Sequence, residues 1–154
     1  MKSLKTGAIC VLLSLCAYGA NAQQTAPFNE PDYNKPKIFA DLPQKMQLNV
    51  DVLETLLATE VGKNINVFIA PGFNFHGVIV SKSDAATAHS QSVVIKSINR
   101  QGATLTFTRN QNEEGGYSYL GRILSFKHGD AFEVAQENGK LVLVKKELYD
   151  LFNE

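Results

Sequence analysis

The residues best suited to proton transfer or metal binding are the three histidines: His76 in "FNFHGVIV", His89 in "KSDAATAHSQ" and His128 in "FKHGD", where Asp130 follows. A histidine oriented by a carboxylate, with the Ser125 hydroxyl nearby, is the arrangement of a base-activated nucleophile. Three converging imidazoles would suit zinc. The spacing favours neither. His76 has no His-x-His or His-x3-His partner, His89 sits among small residues that hold a catalytic group poorly, and Gly129-Asp130 is ordinary turn chemistry. No Gly-x-Ser-x-Gly elbow is present. His76, His128 and Asp130 therefore stand as the set for a secondary reading, a small hydrolase or metal-dependent enzyme. Neither a metal nor a cofactor is expected.

Glu113 and Glu114 form a carboxylate pair, but at a Gly-rich turn open to water, which supplies neither the burial nor the fixed like charge that proton-transfer chemistry needs. No glycine cluster precedes a helix, which disfavours a phosphate cradle. The better candidates are for binding. Thr104, Thr106 and Thr108 alternate with Ala103, Leu105 and Phe107 and present a row of hydroxyls. Tyr117, Tyr119 and Arg122 follow on the next strand, and aromatic residues and arginine are typical of recognition surfaces. The two tyrosines must share a face, and Arg122 takes the other unless a bulge forms at Gly121.

These residues need elements to hold them. "DVLETLLATEVG" has a helical period: Leu53, Leu56 and Leu57 share a face, Asp51 and Glu54 suggest a capping pair, and Gly62 a stop. This predicts one amphipathic helix over about 51–61. From Asn64 onward, apolar runs are separated by Pro71-Gly72, Asn99 to Gly102, Glu114 to Gly116 and the hairpin dipeptide Asn138-Gly139. Short turns force antiparallel neighbours. The expected fold is mainly β: about seven antiparallel strands in a curled meander sheet or small barrel, packed by the helix. "KELYDLFNE" predicts a short C-terminal helix that would close one barrel mouth. Phe73, Phe75 and Ile79 should build core, with His76 on the opposite face and Gly77 at a bend or close approach.

Residues 1–22 read as an export signal: Lys2 and Lys5, a short apolar run, and Ala20-Asn21-Ala22 as the cleavage site. Leu15 before Cys16 does not fit a lipidation signal. Both cysteines, Cys10 and Cys16, lie in this segment, so its removal leaves no thiol for catalysis, disulfides or metal binding. Removing Lys2 and Lys5 also leaves 13 basic against 15 acidic residues, with no basic footprint for nucleic acid. Residues 23–47 carry four of the five prolines and read as an extended arm whose Phe28, Tyr33 and Phe39 could dock on the domain or a partner. Residues 48–154 form the single β-rich domain, with no integral membrane span expected. The protein should be exported, to the periplasm or the extracellular medium.

The run from Phe75-His-Gly77 with Val78 and Val80, through Ser92-Val-Val-Ile, to Gly102 resembles the β-rich prodomains of reprolysin-type metallopeptidases over about 28 residues. Those prodomains inhibit and chaperone a protease in the same chain. Here no His-Glu-x-x-His follows, and no cysteine is left to block a zinc. The wider order, with "GRIL", "HGDAFEV" and "KLVLVKK", is similar to small exported bacterial proteins of uncharacterised function. The expected function is a non-catalytic β domain that binds a protein or cell-surface component, such as a prodomain-like or inhibitory partner of a secreted enzyme. A small barrel carrying an apolar ligand is the third reading.

Overall fold

The computed structural model describes residues 36–83 and 89–152. The expected export signal, arm residues 23–35 with Phe28 and Tyr33, and residues 84–88 of the polar loop lie outside the described residues. Eight strands form one antiparallel sheet, curled into a half-barrel: β1 (Lys45–Gln47), β2 (Asn64–Ala70), β3 (Phe73–Lys82), β4 (Ser90–Ser97), β5 (Thr104–Gln111), β6 (Tyr117–Ser125), β7 (Asp130–Glu137) and β8 (Lys140–Glu147). Their order across the sheet is β1-β8-β7-β6-β5-β4-β3-β2. The expected meander of seven strands is β2 to β8. The eighth, β1, comes from the end of the arm, where three residues after Pro43 are too few to show a period. Met46 pairs with Leu143 of β8.

The hairpins use the turn residues their geometry demands. Asn138 and Gly139 both have positive φ, 49° and 75°, the conformation a two-residue hairpin turn requires. Bulges interrupt the register of β2 with β3 between Phe68 and Ala70, and of β3 with β4 between Ile79 and Ser81. Such insertions bend and twist a sheet. Gly77 lies where two strands crowd, since a β-carbon there would sit 2.5 Å from the Lys96 carbonyl oxygen. Phe73, Phe75 and Ile79 are fully buried, and His76 is on the other face, as the alternation predicts.

Helix α1 spans Val50–Ala58 and buries Leu53, Leu56 and Leu57. It starts earlier and ends earlier than the sequence suggests. Asn49 caps it, its side chain accepting from the Val52 N–H. At the other end the Thr59 N–H donates to Thr55 and Leu56 oxygens, while its own backbone turns extended. Glu54, the expected second half of a capping pair, instead pairs with Arg109.

The inner face of the sheet is filled by α1 and by the end of the arm. Phe39 is fully buried, with Phe132 at 5.2 Å and Phe73 at 6.2 Å between ring centroids. One dipeptide bonds to both sides of the sheet: the Leu48 N–H donates to Leu141 of β8, the neighbour of edge strand β1, and the Asn49 N–H to Ile69 of the other edge strand, β2, both at 2.9 Å. A second, smaller cluster sits on the outer face, where Leu148 and Leu151 pack with Ala131 and Leu124. The C-terminal element, a 3-10 turn at Asp150–Phe152, thus follows a segment that covers the back of the sheet rather than a barrel mouth. The reason is the pairing of Leu124 with Ala131, which leaves apolar surface on the outer face. No described helix is long and apolar enough to cross a membrane.

Candidate functional site

The histidines divide among three structural roles. His76 is half-buried on β3; its N–H donates to Asn99 Oδ1 and its carbonyl accepts from the Ile98 N–H at 2.7 Å. The His89 carbonyl accepts from the Gln111 N–H just before β4. His128 lies in the β6–β7 turn, where Nδ1 is 2.8 Å from Ser125 Oγ and its N–H donates to the Ser125 carbonyl.

Asp130 does not complete a triad there. Its Oδ2 accepts from the Phe39 N–H at 2.9 Å, and Lys37 Nζ lies 3.9 Å from Oδ1. The carboxylate thus anchors the arm. Ser125 is fully buried, which closes its hydroxyl to a substrate, and its contact with His128 ties the turn. Among the described residues no group of three histidine, cysteine, aspartate or glutamate side chains is arranged to hold a metal.

A second tether runs through Arg100. Its guanidinium bonds both Asp41 oxygens, at 2.8 and 2.7 Å, and the Ile38 carbonyl, and lies over the rings of Phe39 and Phe73. That guanidinium holds the Asp41 carboxyl below its ordinary value.

The binding candidates are placed differently. The β5–β6 register runs from Thr104–Leu124 to Gln111–Tyr117 without a bulge at Gly121. Tyr117 and Tyr119 therefore share the inner face, while Arg122, Thr104, Thr106 and Thr108 share the outer one. The sheet separates them, so they do not form one continuous patch. On the inner face Tyr119 stacks on Phe107, centroids 5.7 Å apart, and Arg109 lies 4.6 Å above the Tyr117 ring. Arg109 also bonds Glu54 Oε2 and Gln91 Oε1. Glu54 Oε1 is buried without a partner at hydrogen-bond geometry. Burial first, and then this carboxylate, raises the Tyr119 hydroxyl above its ordinary value. On the outer face Arg122 bonds Glu133 Oε1 through Nε and an Nη, at 3.0 and 2.8 Å.

Both groups border one feature. β5 pairs with β6 at eight positions and β7 with β8 at eight, but β6 pairs with β7 at only four, from Arg122–Glu133 to Ser125–Asp130. Beyond Gly121 and Val134 the ladder ends, leaving an open seam between Tyr117–Leu120 and Ala135–Glu137. Val134 packs into its apex: a β-carbon at Gly121 would lie 2.9 Å from Val134 Cγ2. One cleft flanks the seam on the inner face, and another lies on the outer face over its closed end. The outer one, about 360 Å³, is lined by Thr106, Thr108, Leu120, Arg122 and Glu133 among others. The inner one, about 350 Å³, includes Tyr117, Tyr119, Gln136 and Lys140.

Tyr117 on the inner face and Leu120 on the outer are 50 % and 60 % exposed, which leaves a large side chain open to contact on each side of the seam. Sequence reading finds Tyr117, Tyr119 and Arg122 but neither Leu120 nor the seam, because each strand alone has an ordinary pattern. The one local signal is Gly121, mid-strand, where a glycine often marks a close approach. Tested against known proteins, the chain matches no family model, no curated protein and no solved structure.

Proposed function

We propose that the protein is an exported, non-catalytic β domain that binds a protein or cell-surface partner, a prodomain-like or inhibitory partner of a secreted enzyme being one form of this, and that it does so at the β6–β7 seam. The observation that carries this reading is the early end of the β6–β7 ladder at Arg122–Glu133. It leaves strand edges, an exposed tyrosine, an exposed leucine and an arginine around one opening. Exposed aromatic residues and arginine at a concave site are common anchors of protein interfaces. The competing readings have less behind them: a hydrolase needs Asp130 to orient His128, and an apolar carrier needs an interior that Phe39, Phe107 and α1 do not already occupy.

The test is a photo-crosslinking residue placed at Leu120 of the protein expressed in its native cells, with Glu60, whose side chain is 81 % exposed, as the control position. The expected outcome is a defined protein adduct at 120 and not at 60, lost in the Tyr117→Ala, Arg122→Ala double variant. An adduct equally strong at both positions, or untouched by the double variant, would remove the seam from consideration.

A further inference from the structure

We infer that the seam receives one extended strand of the partner protein, hydrogen-bonded backbone to backbone along β6. This rests on the binding reading above and adds the mode and the chemistry of the occupant. The direction of the backbone groups follows from the ladders. The Gln111 N–H donates to His89, so Gln111, Arg109 and Phe107 address β4, and the residues between them, Asn110, Thr108 and Thr106, address β6. Their partners Ser118, Leu120 and Arg122 turn back toward β5. By alternation the N–H and C=O groups of Tyr117 and Tyr119 point toward β7, and those of Gln136 point toward β6. Among the described residues these groups have no ladder partner.

An unpaired strand edge is a template for another strand. Here the template is about four residues long, roughly 13 Å at 3.3 Å per residue. Peptides that add to a sheet take affinity from main-chain bonds and specificity from pockets that receive alternate side chains. The seam supplies both parts, because a cleft opens on the inner face beside Tyr117 and Tyr119 and another on the outer face beside the adjoining stretch from Leu120 to Leu124. Side chains of an inserted strand would enter the inner cleft on one face and reach the Leu120 end of the outer cleft on the other. One set would meet Leu120 and the aliphatic part of Arg122, the other Tyr117, Tyr119 and Lys140. The occupant is therefore an extended, proline-free segment with apolar residues at every second position, running antiparallel to β6, the more stable sense of pairing.

The experiment selects linear 12-residue peptides from a random display library on the purified full chain. The selected peptides are resynthesised with and without N-methylation at alternate amides, which removes strand donors while keeping side chains. The expected result is binding that falls at least tenfold on N-methylation of one alternate set only. Exchange of the Tyr117 and Tyr119 amides should slow at least tenfold in the complex, with those of β2, the other long edge, unchanged. Leu120→Asp, at a 60 % exposed position that the fold does not need, should weaken binding at least tenfold.

Peptides that bind the seam but tolerate N-methylation at every amide would overturn strand addition while leaving the binding reading intact. No selected peptide at the seam, together with no crosslink at Leu120, would overturn both. Concentration-dependent dimerisation that protects the same two amides would assign the seam to a second copy and overturn a foreign occupant.

Discussion

Asp130 Oδ2 accepts the Phe39 N–H at 2.9 Å across 91 residues of chain, and in doing so fixes where the arm enters the half-barrel. Asp130 is 4 % exposed, so its loss would strand a buried donor. Asp130→Ala should cost about 1–3 kcal/mol in urea unfolding. Asp130→Asn keeps an acceptor and should cost less. Equal losses in the two variants would show that the bond contributes little.

Two glycines make a graded pair. At Gly77 a β-carbon would meet a backbone oxygen at 2.5 Å, which only a shift of β4 could relieve. At Gly121 the first obstacle is the Val134 side chain at 2.9 Å, with the Thr106 carbonyl oxygen at 3.1 Å. Gly121→Ala should cost about 1–3 kcal/mol, the usual range for overpacking, and Gly77→Ala more. The reverse order in thermal unfolding would contradict the close approach of β3 and β4.

The Asp41–Arg100 pair predicts part of the acid response. The folded Asp41 carboxyl lies below its unfolded value because Arg100 bonds it. Its contribution is complete above about pH 4 and is lost as pH falls through the folded value. Asp41→Asn should therefore make the stability curve shallower below about pH 4, with little change at pH 7 beyond the lost pair. A variant with the same acid slope as the parent would exclude this pair as a source.

Tyr119 behaves in the opposite sense. Its raised hydroxyl value means that stability is complete below about pH 10 and falls as pH rises through the folded value. In a spectrophotometric titration Tyr119→Phe should remove a late-ionising phenol. Glu54→Gln should bring that phenol back toward the ordinary range, though burial will keep some of the shift.

The strands from Asn64 on were legible because alternation and turn dipeptides act within a few residues, as in Ala103 to Thr108 and Asn138-Gly139. The amphipathic face of α1 was legible for the same reason. The cap at Asn49 and the pairing of β1 with β8 were not, since both depend on groups brought together only by the fold. For the site, Tyr117, Tyr119 and Arg122 were identifiable by type and their separation onto two faces by alternation, whereas the absence of a bulge at Gly121 is a property of the β5–β6 register. The open seam depends on how far β7 follows β6, which is a property of the pair. Asp130 illustrates the limit, its carboxylate serving Phe39, a residue distant in sequence, rather than His128 two positions away.

The bridge at Leu48 and Asn49 has a kinetic consequence. Leu48 bonds Leu141, so the earliest strand of the domain finds its partner only when the last hairpin exists. Closing a loop of that length is slow relative to local pairing, and the β2–β7 meander can zip from one short turn to the next in the meantime. Docking of the arm is then a late event, and a chain truncated before β8 would have a meander but nothing on which β1 could be completed.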